Sequence, residues 1–186
     1  MSIQTLAVPG ASKEGFLSRN VLGAQARAQT ADVFTKVYAF PALHVVDIMV
    51  GAPKSPGERD ATVRAAPQLL TMLKGGANAF RYLHEIGFLV KRPGNPFPQF
   101  ISVGRAANND LVFAVDSVSK FHGYFTADNG QWALTDFRST NGIEVNGKKV
   151  EPNVATPLKD GDRIRFGEHV CSEFLEPASL YKKLRG

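Results

Sequence analysis

A single cysteine among 186 residues excludes a disulfide-stapled scaffold, and no Cys/His set stands at metal-ligand spacing. Cys171, next to Val170 and close to Phe174, reads as a small buried apolar residue rather than a nucleophile. No apolar run reaches the ~20 residues of a bilayer crossing. The most apolar stretch, Val37 to Pro53, is interrupted by Pro41, His44 and Asp47. Met1 to Gly15 lacks the basic start and apolar block of a secretory signal, so the expected compartment is the reducing cytoplasm. The 17 Gly and 11 Pro are scattered without period, and charged residues make up 21% against 44% hydrophobic, which excludes a collagen-like fibre and a disordered polyelectrolyte.

Catalytic signatures are also missing. There is no Gly-x-x-x-x-Gly-Lys-Ser/Thr loop, no His-Glu-x-x-His and no Gly-x-Ser-x-Gly. His44, His84, His122 and His169 are dispersed and single, and Asp160 and Asp162 flank Gly161 as turn formers rather than as an acid–base pair. The expectation is a non-enzyme with no cofactor and no metal.

A net charge of +5 invites a nucleic-acid reading, but its distribution argues against one. Residues 1–83 hold nine Lys and Arg against five Asp and Glu, and residues 84–186 hold thirteen against twelve. Neither part has a basic run interleaved with aromatics. The densest cluster, Lys182, Lys183 and Arg185, reads as a solvated end.

The two parts differ in pattern. Between Ser12 and Tyr38 the apolar residues Phe16, Leu17, Val21, Leu22, Val33, Phe34 and Val37 recur at helical spacing. This predicts one helix or two, with Gly23 and Gln29–Asp32 as candidate breaks and Thr30 or Asp32 as the second cap. Leu43 to Val50 is ambiguous between a buried strand and a short helix, residues 51–60 read as a loop, and Gln68 to Lys74 as a short helix. After Phe80 come short apolar bursts separated by turn chemistry: Ile86–Lys91, Phe100–Gly104, Leu111–Phe113, Phe121–Thr126, Trp132–Thr135, Ile143–Val145, Lys148–Val150, Arg163–Phe166 and Val170–Glu176. Asn129-Gly130 and Asn146-Gly147 are hairpin pairs, and Asp160-Gly161-Asp162 is a further tight turn. The fold class expected is mainly β, an antiparallel β-sandwich over residues 84–186 preceded by a mainly helical N-terminal segment, residues 1–83, of unknown role.

Polar residues that break the strand alternation fall at strand ends. Gly104-Arg105 closes one strand, Ser119-Lys120-Phe121-His122 opens another, and Ser139-Thr140-Asn141-Gly142 precedes a third. Gathered at one end of a sandwich, these loops bring together a guanidinium, an ammonium, hydroxyls and an amide with no carboxylate among them. Such a patch suits an anion: Arg offers a planar fork to a phosphate and Lys a point charge.

In order and spacing these blocks resemble the forkhead-associated (FHA) domain. The resemblance runs through Val103-Gly104-Arg105, Asn108-Asn109-Asp110, Val118-Ser119-Lys120-Phe121-His122, Trp132, Asp136 and Ser139-Thr140-Asn141-Gly142. It continues through Val145-Asn146-Gly147, Leu158–Asp162 and Phe166-Gly167, covering about residues 84–177. It implies a two-sheet sandwich that recognises phosphothreonine in an extended peptide. It also implies that Arg105, Ser119 and Lys120 contact the phosphate, that Asn141 bonds the peptide backbone and that Thr140 supports its loop. His122 would brace the Ser119 loop, and Gly104, Gly142, Asn146 and Gly147 would shape the backbone. Lys120 stands where the family often has Arg, keeping charge but losing the fork. Ile143 stands where Thr usually follows Asn-Gly, which puts a neighbouring peptide contact in question.

The function expected is that of a phosphothreonine-peptide-binding signalling adaptor downstream of a Ser/Thr kinase. Its partner would be a phosphothreonine-containing protein, such as a kinase or its substrate, with no membrane and no nucleic acid. The alternative is a structural or nucleic-acid-associated protein whose basic prefix binds or self-associates while the FHA-like part docks. A third reading has Thr30, Thr35 or Thr62 phosphorylated and bound by a neighbouring copy.

Overall fold

A computed structural model describes residues 8, 10–49 and 78–186. The expected loop over residues 51–60, the helix over Gln68–Lys74 and Thr62 lie outside the described residues. The described residues are mainly β, with antiparallel sheets and three α-helices. In order, it forms β1 (Phe16–Ser18), α1 (Arg19–Ala28), α2 (Ala31–Val37), β2 (Ala42–Ile48), β3 (Glu85–Phe88), β4 (Ile101–Gly104) and β5 (Leu111–Val112). There follow β6 (Gly123–Asp128), β7 (Gln131–Asp136), β8 (Ile143–Val145), β9 (Lys148–Lys149), β10 (Thr156–Pro157), β11 (Arg163–Phe166), β12 (Val170–Leu175) and α3 (Pro177–Arg185).

Two sheets face each other, one ordered β1-β3-β2-β12-β11-β8-β9 and the other β10-β7-β6-β4-β5. Every pairing is antiparallel except β4 with β5. Leu43, Val45, Val103, Phe125, Leu134, Ile164 and Phe174 point between the sheets and close the main core. Alternation sends Ala42, Ile86, Phe88 and Leu175 to the other face of the larger sheet. There they meet Leu22, Ala26, Phe34, Leu180, Tyr181 and Leu184 from the helices in a second core. The architecture is therefore three layers: helices, larger sheet, smaller sheet.

The ambiguous LHVVDIMV stretch resolves as β2, which pairs with β3 on one side and β12 on the other. Both faces of β2 are covered, so it lacks polar–apolar alternation. β1 adds to the outer side of β3. The segment before residue 84 is thus helical only in part, and the larger sheet runs across the 83/84 boundary rather than starting after it. Gly23 does not break α1, which runs through it, and faces the Leu184 carbonyl of α3. The break comes at Gln29-Thr30, with Thr30 at the N-cap position and Asp32 in the first turn of α2.

The cluster Lys182, Lys183, Arg185 is a solvated end, with Lys182 and Arg185 exposed, but an ordered one. It belongs to α3, which starts on Pro177, buries Leu180, Tyr181 and Leu184, and carries its cations in the last turn where the helix dipole favours them. Lys183 pairs with Glu173 of β12, and Tyr181 donates its hydroxyl to the Gln29 carbonyl at 2.9 Å. Asp160 holds the start of this helix, accepting from Glu176 N at 2.8 Å and Ser179 Oγ at 2.5 Å.

Candidate functional site

The three loops singled out in the sequence meet at one end of the sandwich. β4 ends on Gly104, and the following backbone docks on the Ser119-Lys120 loop: Arg105 N donates to Ser119 O at 2.9 Å and Ala106 N to Lys120 O at 3.0 Å. A Cβ on residue 104 would stand 2.5 Å from Lys120 O, so only glycine permits this approach. Arg105 Nε donates to Val118 O at 3.1 Å, and its terminal nitrogens have no partner among the described residues. The third loop is tied to the second by Thr140 N donating to Ser119 Oγ at 3.0 Å and by Asn141 Nδ2 donating to Ser117 O at 2.9 Å. Arg105, Lys120, Thr140 and Asn141 are exposed, and Ser119 is half-buried between them.

Beneath this rim lies His122, fully buried. Its Nδ1 accepts from Ser119 N at 2.9 Å, so the ring is protonated on Nε2, which donates to Gly142 O at 3.1 Å. One imidazole thereby sets the spacing of the second and third loops. Burial pushes its pKa below the usual histidine value, with the Gly142 carbonyl and Asp136 pulling the other way. Gly142 takes a φ of 78° at the exit of the third loop. Asn146 and Gly147, with φ of 52° and 76°, make the hairpin from β8 to β9, where Asn146 Nδ2 donates to Asp162 Oδ1 at 2.8 Å.

Residues 101–167 match the family model described as FHA domain. The chain carries an FHA domain. An FHA domain is a phosphopeptide-binding module rather than a catalytic one. Over 100 residues the chain is 30% identical to the transcriptional regulatory protein EmbR of Mycobacterium tuberculosis, a match covering 52% of this chain and 24% of EmbR. It is 29% identical over 120 residues to an oxoglutarate dehydrogenase inhibitor of Corynebacterium efficiens, covering 64% of this chain and 75% of that protein. Among solved structures, EmbR of M. tuberculosis in complex with a low-affinity phosphopeptide aligns at 29% identity and a TM-score of 0.39, covering 44% of this chain and 21% of that one. The chain thus spans about a quarter of the length of EmbR.

Residues of this FHA domain that the sequence argument had not assigned to the site complete its frame. The buried carboxylate of Asp136 holds the third loop, accepting from Ser139 N at 2.7 Å, Ser139 Oγ at 3.0 Å and Ile143 N at 2.9 Å. Asn109 bridges the first two loops, its Nδ2 donating to Ala106 O at 2.8 Å and Lys120 O at 2.7 Å. Asp110 anchors the end of the first loop through a buried ion pair with Lys91 at 2.6 Å and bonds from Ser102 N and Arg92 N. Asp136 and Asn109 stood within the resembling blocks, but a buried brace and a surface turn residue look alike in sequence. Ile143 is wholly buried in the main core, so its side chain does not reach the rim. Lys149 packs over the exit of the third loop, its Cε 3.0 Å from where a Cβ on Gly142 would be. Among the described residues no helix is long and apolar enough to cross a membrane.

Proposed function

We propose that this FHA domain binds phosphothreonine in a partner protein and serves as a cytoplasmic adaptor downstream of a Ser/Thr kinase. The observation that supports it is the joining of three loops by direct hydrogen bonds, so that Arg105, Ser119, Lys120 and Asn141 surround one exposed spot. Arg105 has its fork available there, Lys120 adds a point charge, and the linked hydroxyls of Ser119 and Thr140 add a neutral donor. Asn141, pinned by one amide hydrogen, keeps its carbonyl oxygen and second hydrogen for a peptide backbone.

The chemistry makes binding conditional on phosphorylation. A phosphate group brings about −1.5 to −2 charges and three acceptor oxygens, whereas a threonine hydroxyl leaves both cations unpaired. Two or three charge-assisted bonds of ~1.5–3 kcal/mol each separate the two peptides by orders of magnitude. The extra methyl group of threonine over serine is worth roughly 0.8 kcal/mol by transfer.

Arg105→Ala tests the reading. It should abolish binding of phosphothreonine peptides at moderate salt while leaving the fold intact, because the side chain is exposed. Ser119→Ala should weaken binding less. Unchanged affinity of Arg105→Ala in a fluorescence anisotropy titration would remove Arg105 from the site.

A further inference from the structure

Five aromatic rings lie outside both cores, on the outer face of the smaller sheet: Phe97, Phe100, Phe121, Tyr124 and Phe137. Their centroids are 4.6–6.4 Å apart in a connected network. With Ala106, Asn108 and Lys120 they line a groove of about 680 Å³. Phe137 is 54% exposed and Phe97 37%, although each ring could lower its free energy by leaving water. A contiguous exposed aromatic patch is the usual anchor surface for a partner.

The chain path indicates which partner. Ala106 directly follows Arg105, Phe121 directly follows Lys120, and Phe137 leads into the loop of Ser139–Asn141. Lys120 itself lines the groove. A peptide held at Arg105 and Lys120 is therefore already at the mouth of the groove. A second copy docked groove to groove would set Lys120 against its own equivalent, whereas a phosphorylated segment is complementary in charge to Lys120 and Arg105.

We propose that the groove takes an aromatic or long aliphatic side chain of the same phosphorylated partner, carried at some distance along the chain from the phosphothreonine. Recognition then has two points: a phosphate clamp that senses modification and an apolar anchor that selects the sequence. This rests on the phosphothreonine reading of the rim.

The test uses the full chain and a positional-scanning set of 15-residue phosphothreonine peptides in which each flanking position is changed to Phe, Leu, Ala or Glu. Their dissociation constants are measured by anisotropy for the wild-type chain and for Phe97→Ser/Phe137→Ser. Both substituted rings are exposed, and an unchanged melting temperature confirms the fold. The wild-type chain should bind roughly 10- to 100-fold tighter when Phe or Leu occupies one position, the factor that burying one such side chain corresponds to. The double variant should lose that gain and keep its affinity for peptides lacking the anchor. Equal affinities of both proteins across the set overturn the proposal. So does sedimentation showing a wild-type dimer that the double variant lacks, which assigns the groove to a second copy. If no phosphorylated peptide outcompetes its unphosphorylated form on the wild-type chain, the phosphothreonine reading itself fails, and the groove proposal with it.

Discussion

Gly104→Ala perturbs the site without touching any group expected to meet the ligand. The new Cβ would stand 2.5 Å from the Lys120 carbonyl oxygen, 2.9 Å from Asn109 Nδ2 and 3.0 Å from the His122 amide nitrogen. Because Cβ contacts below 3.0 Å essentially do not occur, the Lys120 carbonyl must retreat by at least about 0.5 Å in a packed surround. That oxygen accepts from Ala106 N and Asn109 Nδ2, and the adjacent Ser119 carbonyl accepts from Arg105 N. Overpacking costs ~1–3 kcal/mol. Weakening one or two of these bonds adds about 0.5–1.5 kcal/mol each, for a loss of about 1.5–6 kcal/mol. In a chain of this size that lowers Tm by roughly 3–24 °C. Arg105 and Lys120 move relative to one another, which should forfeit one charge-assisted bond to phosphate, about 10- to 150-fold in affinity. Differential scanning fluorimetry and peptide anisotropy on the purified variant measure both. A variant with the wild-type Tm and affinity would refute the claim that β4 and the Ser119 loop are held by backbone contact at this point.

Asp136→Ala removes the acceptor for three donors, leaving the Ile143 amide buried and unpaired at a cost of ~1–3 kcal/mol. Hydrogen exchange should speed up across residues 139–143, and peptide affinity should fall with it. Ile143→Thr should lower stability by ~1.5–4.5 kcal/mol, because it thins the core as Ile→Val does and also buries a hydroxyl among apolar side chains. Its peptide preferences in the scanning set should match wild type. His44 is buried in β2 with both ring nitrogens unpaired among the described residues, and burial, aided by Lys183, Arg19 and His84, lowers its pKa to about 4. A folded-state pKa below the unfolded 6.5 means the unfolded chain binds more protons. Stability is therefore full above pH 6.5 and lost as pH falls toward 4, by about 3 kcal/mol from this group. His122 contributes in the same direction. Urea melts between pH 7.5 and 4.5 should show His44→Leu losing less stability on acidification than wild type.

The hairpins were legible because their chemistry is local. Asn129 and Asn146 take φ of 48° and 52°, as Asn-Gly turns require, and the bounds of β8 and β11 coincide with their apolar bursts. The rim loops were legible by type for the same reason: Gly104, Arg105, Ser119, Lys120 and Asn141 interrupt strand patterns in short, recognisable blocks. What the pattern hid depends on burial by distant partners. β2 shows no alternation because both its faces are covered, and β10 has only two residues. In α3 three cations masked the apolar stripe Leu180, Tyr181, Leu184. The aromatic groove draws rings from Phe97 to Phe137, and their convergence exists only once β4, β6 and β7 are side by side.

The insertion of β2 between β3 and β12 also sets a timetable for synthesis. Ile48 is paired with Val170 and Ala42 with Leu175, so an inner strand made early waits for one made about 120 residues later. At roughly 5–20 residues per second the interval is on the order of 6–24 s, during which β2 shows an unpaired edge and two apolar faces. The nascent chain is therefore most open to misassociation before the second half of its own sheet emerges. Mutations that weaken β12 should reduce the yield of folded protein in cells more than they reduce the stability of the molecules that complete folding.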